Sequence, residues 1–188
     1  MYRTIATLAA NLKGGFRLLT LARVGPGDFG ADTLQVMALL GLHLMLRGLA
    51  DLVLAWPPSQ LLGYGVGLAL LPLVIAMAWV EGVARWRRIQ AAIPALTVAI
   101  LAAGLWAELC WMALANLVPW ALLPPYAGFV LSVGVVFLWG LAGYRALRLI
   151  GAQGVAVAAL AGLALPVAMI AAGMVMGRFA IFLGGPRG

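Results

Sequence analysis

Five apolar blocks, each close to the length that crosses a bilayer, constrain this chain more than any other feature of its sequence. They run from about 34 to 55, 61 to 80, 93 to 118, 126 to 144 and 155 to 176, against the roughly 20 residues that span about 30 Å of hydrocarbon as a helix. Backbone polar groups in lipid must be satisfied within the segment, so unbroken blocks of this length predict helices. An outer-membrane barrel is excluded, because its strands alternate apolar and polar residues over about 10 positions. Charged residues make up only 9% of the 188, and hydrophobic ones 65%. Soluble domains carry roughly 25% charge, so this chain could not cover a water-facing surface. The predicted fold is all-α: one polytopic transmembrane helical bundle with no room for a soluble domain.

Punctuation between the blocks supports these limits. The first block stops at Trp56-Pro57-Pro58, the second at Glu81 ahead of Arg85, Arg87 and Arg88, and the third at Pro119. Arg145 and Arg148 close the fourth, and the GAQG turn precedes the fifth. Proline interrupts helical hydrogen bonding, which explains its place in the links. Pro72, Pro94 and Pro166 fall inside blocks, where they kink a helix or sit in its first turn.

The formal net charge is +7, with Lys13 as the only lysine. The basic residues sit in the gaps between blocks, a pattern that orients membrane helices and meets anionic lipid headgroups rather than nucleic acid. The N-terminal segment, the second-to-third loop and the fourth-to-fifth loop are basic, and the other two loops carry no charge. Positive-inside placement therefore predicts a cytoplasmic N-terminus and an outside C-terminus, with Arg178 and Arg187 as the minority on the other side. Trp56, Trp120 and Tyr126 then fall at the outer interface, and Trp86 and Tyr144 at the inner one, the level such rings prefer. Lys13, Arg17, Arg85, Arg87, Arg88, Arg145 and Arg148 are the candidate headgroup contacts. The compact loops and the alanine- and arginine-rich style point to a bacterial inner membrane.

Residues 1–22 do not read as a signal peptide, because no uninterrupted apolar core forms before Lys13. Ile5, Leu8, Leu12, Phe16 and Leu19 recur at three- and four-residue steps, away from most of the basic positions. This predicts one or two short amphipathic helices along the headgroup layer; packing on a partner protein is the alternative. GPGDFGAD then makes a turn, and Asp32 or Thr33 caps the helix that follows.

Within the first block, His43, Arg47 and Asp51 recur every four residues and share one helix face. The third block contributes Glu108. Charges at this depth cost at least a few kcal/mol and find partners. Counting from the block midpoints puts Arg47 and Glu108 level, which predicts a buried ion pair with His43 about one turn deeper and Asp51 one turn above. Such a cluster is either a structural pin between two helices or a path for protons or solutes. Gly63 with Gly67, and Gly173 with Gly177, give small-xxx-small packing surfaces.

Signatures of catalysis are missing: there is no G-x-S-x-G elbow, zinc-binding H-E-x-x-H or P-loop. His43 is the only histidine and Cys110 the only cysteine, so neither a zinc cluster nor an intrachain disulfide is expected, and no cofactor is implied. Cys110 lies two residues from Glu108 and points to another side of its helix, against a Cys110–His43 dyad.

The order of features, from LKGGFRLLTLARV through the first helix ending at Asp51 to LLGYGVGLALLPLVI, resembles the bacterial branch of the Yip-domain family of five-span membrane proteins. That resemblance implies a non-enzymatic membrane protein that works through partners. The residues themselves support the same expectation, an accessory, assembly or scaffold subunit of a membrane complex with a membrane-protein partner. A small transporter or proton conductor built on His43, Arg47, Asp51 and Glu108 is the rival.

Overall fold

A computed structural model describes residues 2–53, 66–117 and 127–182. Among them are six α-helices and no strand: α1 (Tyr2–Leu19), α2 (Thr33–Val53), α3 (Val66–Trp86), α4 (Ile93–Leu117), α5 (Ala127–Leu149) and α6 (Val155–Phe182). The all-α expectation holds. Two stretches, Gln90–Cys110 and Val155–Ala172, are long and apolar enough to cross a membrane, and Thr33–Leu46 is a shorter apolar helix. The expected outer links with Trp56, Gly63, Trp120 and Tyr126 lie outside the described residues, as does the tail with Arg187.

α4 is the axis of the bundle, packed by α1, α2, α3 and α5, while α6 lies along α5 and α3. Its buried run of Leu96, Ile100, Leu101, Ala102, Ala103 and Ala107 presents small and medium side chains to several neighbours at once. That small surface lets Gly15 of α1 come so close that a Cβ there would stand 2.5 Å from the Ala102 carbonyl carbon. Close backbone approach of this kind is how apolar helices adhere where water release gives no drive.

Of the one or two helices expected, α1 is one, continuous through Gly14-Gly15, because those glycines are contact points against Phe29 and α4. Its buried face carries Asn11, Gly14, Gly15 and Leu18, whereas Ile5 and Phe16 of the apolar stripe are 57% and 47% exposed. The small and polar face is the inward one.

The turn after α1 folds back along it. Phe29 rests on Gly14, and Asp32 caps α2 by accepting the Gln35 N–H at 2.8 Å, as the sequence anticipates. α3 and α5 run past their predicted ends to Trp86 and Leu149. Arginines limit the apolar span without breaking the helical hydrogen-bond ladder. Pro72 and Pro166 lie inside α3 and α6, and Pro94 falls in the first turn of α4.

Candidate functional site

A few polar groups are buried within the apolar interior of the bundle, and many large apolar side chains face out. Asn11, Gln35, His43, Glu108 and Gln153 are buried; Met45, Val74, Leu160 and Val167 are exposed. Among the described residues every buried side-chain nitrogen and oxygen has a hydrogen-bond partner.

The centre of this interior is His43, with no exposed surface, beside Glu108 at 7% exposure. Imidazole Nδ1 lies 3.0 Å from Glu108 Oε2, and Nε2 lies 2.9 Å from the backbone oxygen of Leu101. α2 supplies the ring and α4 both oxygens, so this one side chain ties the two helices together. Trp139 of α5 roofs the ring, with centroids 5.9 Å apart and planes tilted 32°. Gly104 makes room for that indole: a Cβ there would meet Trp139 Cη2 at 2.1 Å. Leu39, one turn before His43, is also fully buried.

The residue spacing predicts a Glu108–Arg47 pair with His43 one turn deeper. In the structure His43 itself meets Glu108. Helical side chains lean toward the helix N-terminus, and the longer glutamate reaches further along that lean than a count of Cα levels allows. The side chains of Arg47 and Asp51 lie outside the described residues. Glu108 has a further interaction besides the one with His43. Cys110 is exposed, on another side of α4 from the buried Glu108.

A second polar knot fastens α1. The Asn11 side-chain amide donates to Gly30 O at 3.1 Å and accepts Gly30 N–H at 2.8 Å, like one step of strand pairing. It also donates to Gln35 Oε1 at 3.1 Å, and Gln35 Nε2 donates to Thr4 O at 3.1 Å. The Trp106 indole donates to Leu12 O at 2.8 Å, and Phe16 meets the Trp106 ring edge-on with centroids 5.2 Å apart.

Several expected headgroup arginines are occupied by protein. Arg145 donates to the backbone oxygens of Arg17, Leu18 and Ala22 at 2.6–2.7 Å, closing the C-terminal end of α1. Burial pulls its guanidinium below the ordinary range, with Tyr144 opposing, and a guanidinium stays charged through any such shift. Arg87 Nε donates to Gln153 Oε1 at 2.8 Å and Arg148 to Gln153 O at 3.1 Å. Arg17 stands 3.8 Å from Asp28, and Arg85 pairs with Glu81 one turn back. Arg87 also lies over the exposed Trp86 ring. Lys13 and Arg88, also among the expected headgroup contacts, are exposed. The ends of α1, α3 and α5 thus meet the start of α6 at one basic end of the bundle.

Of the expected glycine surfaces, Gly63 lies outside the described residues; Gly67 falls in α3 and Gly173 and Gly177 in α6, with surroundings outside them too. Glycine contacts the sequence reading missed do the close work. A Cβ on Gly140 would lie 2.9 Å from Gly162 O, and one on Gly162 would lie 2.8 Å from Tyr144 Cβ. Also missed were Asn11, Gln35, Trp139 and Gln153. A polar residue within the otherwise apolar stripes of α1 and α2 was the available signal for the first two.

Among the described residues no group of three or more His, Cys, Asp and Glu could hold a metal ion. Comparison with protein-family models, with curated proteins and with solved structures finds no match.

Proposed function

We propose that this chain is a multi-pass inner-membrane protein that serves a larger membrane complex as a non-enzymatic accessory, assembly or scaffold subunit. The observation that carries this reading is the buried His43–Glu108 pair: His43 spends both ring nitrogens on joining α2 to α4, and Trp139 packs beside the ring. A conduction path would line several levels of the membrane with accessible polar groups. Here the buried amides Asn11 and Gln35 are also consumed by internal bonds.

Supporting the membrane reading is the inversion of the fold, with apolar side chains outward over α2, α3, α5 and α6. Soluble monomers expose far smaller apolar patches. Five spans with a cytoplasmic N-terminus fit the gathering of Arg17, Arg87, Arg145 and Arg148 at one end. α1 lies at the headgroup level in this reading, with Lys13 outward toward anionic lipid and its small face docked on α4. Partner helices then meet the bundle through its lipid-facing sides, as the Yip-like order of features implies.

Extraction of the native protein into nanodiscs, followed by mass spectrometry of what co-purifies, tests this. A stoichiometric membrane-protein partner is the expected result. A protein without partners that carries protons or solutes into proteoliposomes, and loses that flux in Glu108→Gln, would make it a transporter instead.

A further inference from the structure

The His43 ring stands between two oxygens, and that geometry fixes a proton count. The Leu101 backbone oxygen can only accept, so Nε2 at 2.9 Å must carry hydrogen. At Nδ1, 3.0 Å from Glu108 Oε2, a bare nitrogen facing a bare carboxylate oxygen would set lone pair against lone pair. A second proton therefore lies between them, either on Nδ1 as an imidazolium or on Glu108 as a carboxylic acid. We infer that the His43–Glu108 pair is a buried two-proton site, and that removal of the second proton uncouples α2 from α4.

Trp139 packs beside the imidazole, with ring centroids 5.9 Å apart and planes tilted 32°. The charged groups on the elements around the site are few. α4 brings Glu108, and α2 itself carries Arg47 and Asp51 one and two turns further on, with side chains outside the described residues. On α1, Arg3 and Lys13 are exposed and Arg17 leans to Asp28. α3 has Glu81 and Arg85 paired on its exposed side, and the α5 arginines are engaged at the basic end. None of the described groups comes between the ring and its two oxygens.

The ring makes both of its bonds only while both protons are present. With one proton, His43 keeps either Leu101 or Glu108, and the other oxygen is left facing a lone pair in a dry core. Helix α2 then loses one of the two bonds by which His43 holds α4. The pair holds this proton whether or not the bundle has a partner, so the inference does not rest on the scaffold reading.

Because His43 is the only histidine, ¹⁵N-histidine labelling of the full chain in nanodiscs reports one imidazole. The expected spectrum at neutral pH shows hydrogen on Nε2, and either hydrogen on Nδ1 or a protonated Glu108 seen by ¹³C labelling. A neutral imidazole beside an unprotonated Glu108 would overturn the proton count. In Glu108→Gln the amide can donate to Nδ1, so the ring should become neutral with hydrogen on Nε2 alone; a ring with two hydrogens there would also count against it. Raising the pH until the wild-type spectrum loses the second proton should speed amide exchange in residues 39–46 roughly tenfold beyond the intrinsic base-catalysed rise, as for one charge-assisted hydrogen bond lost. Exchange in α5 should show that intrinsic rise alone. A rise in 39–46 no greater than in α5 after that proton has left would remove the coupling.

Discussion

The seam between α2 and α4 and the seam between α5 and α6 join helices of similar length by opposite means. The first is closed by one imidazole reaching a carboxylate and a backbone oxygen. The second is closed by absence of side chain, with Gly140 and Gly162 bringing backbones into contact and Pro166 and Tyr144 filling the flanks. Where lipid replaces water, apolar side chains gain little by leaving it, so helices adhere through polar bonds or through intimate packing. The polar seam is specific but replaceable in kind. The glycine seam has nothing smaller to fall back on.

The largest expected effect is Glu108→Ala, which strands His43 in the core and should cost about 3 to 5 kcal/mol by analogy with broken buried pairs. Unfolding in mixed micelles measures it, and a loss below about 1 kcal/mol would erase the contrast between the seams. The double variant His43→Leu with Glu108→Leu should recover most of that loss, because two apolar residues can replace a buried pair. Next comes Gly162→Leu, expected to cost about 1 to 3 kcal/mol or more through overpacking. Position 140 offers no relief, being glycine already, whereas Tyr144→Gly removes the nearest side-chain atom and should recover part of the loss; no recovery would show that the backbone contacts alone set the seam. Arg145→Gln should cost about 2 kcal/mol and expose α1 to proteolysis first, with α5 and α6 holding. Smallest of all, Lys13→Gln with Arg88→Gln should stay within about 0.5 kcal/mol in stability. The same pair should weaken retention of anionic lipid in native mass spectrometry, and undiminished retention would remove these two cations from the headgroup contacts.

The contrast also marks what sequence could and could not reveal. Apolar block length located α2 through α6, because a hydrocarbon core demands about the same length from any helix that crosses it. It missed the true ends of α3 and α5, which continue through Arg85 and Arg145. Hydropathy reports the solvent, whereas helix ends report hydrogen bonding. His43 and Glu108 stood out because polar groups in apolar blocks are rare, but their pairing depended on side-chain reach that Cα levels do not contain. Gly104, Gly140 and Gly162 were invisible among 24 glycines, since nothing in the sequence tells which one faces a neighbouring backbone. Periodicity was half right in α1: Leu8, Leu12 and Leu19 of the stripe pack on the core, while Ile5 and Phe16 are exposed and Asn11, Gly14 and Gly15 share the buried face.

The cap that Arg145 places on α1 has a bearing on biogenesis. The bonds to Arg17, Leu18 and Ala22 span 123 to 128 positions of chain. A ribosome adds about 5 to 20 residues per second, so α1 must wait several seconds for the residue that finishes it. During that interval its terminal carbonyls need other partners, and its docking is complete only once α5 has been made. A helix made well before α5 is thus locked only together with it.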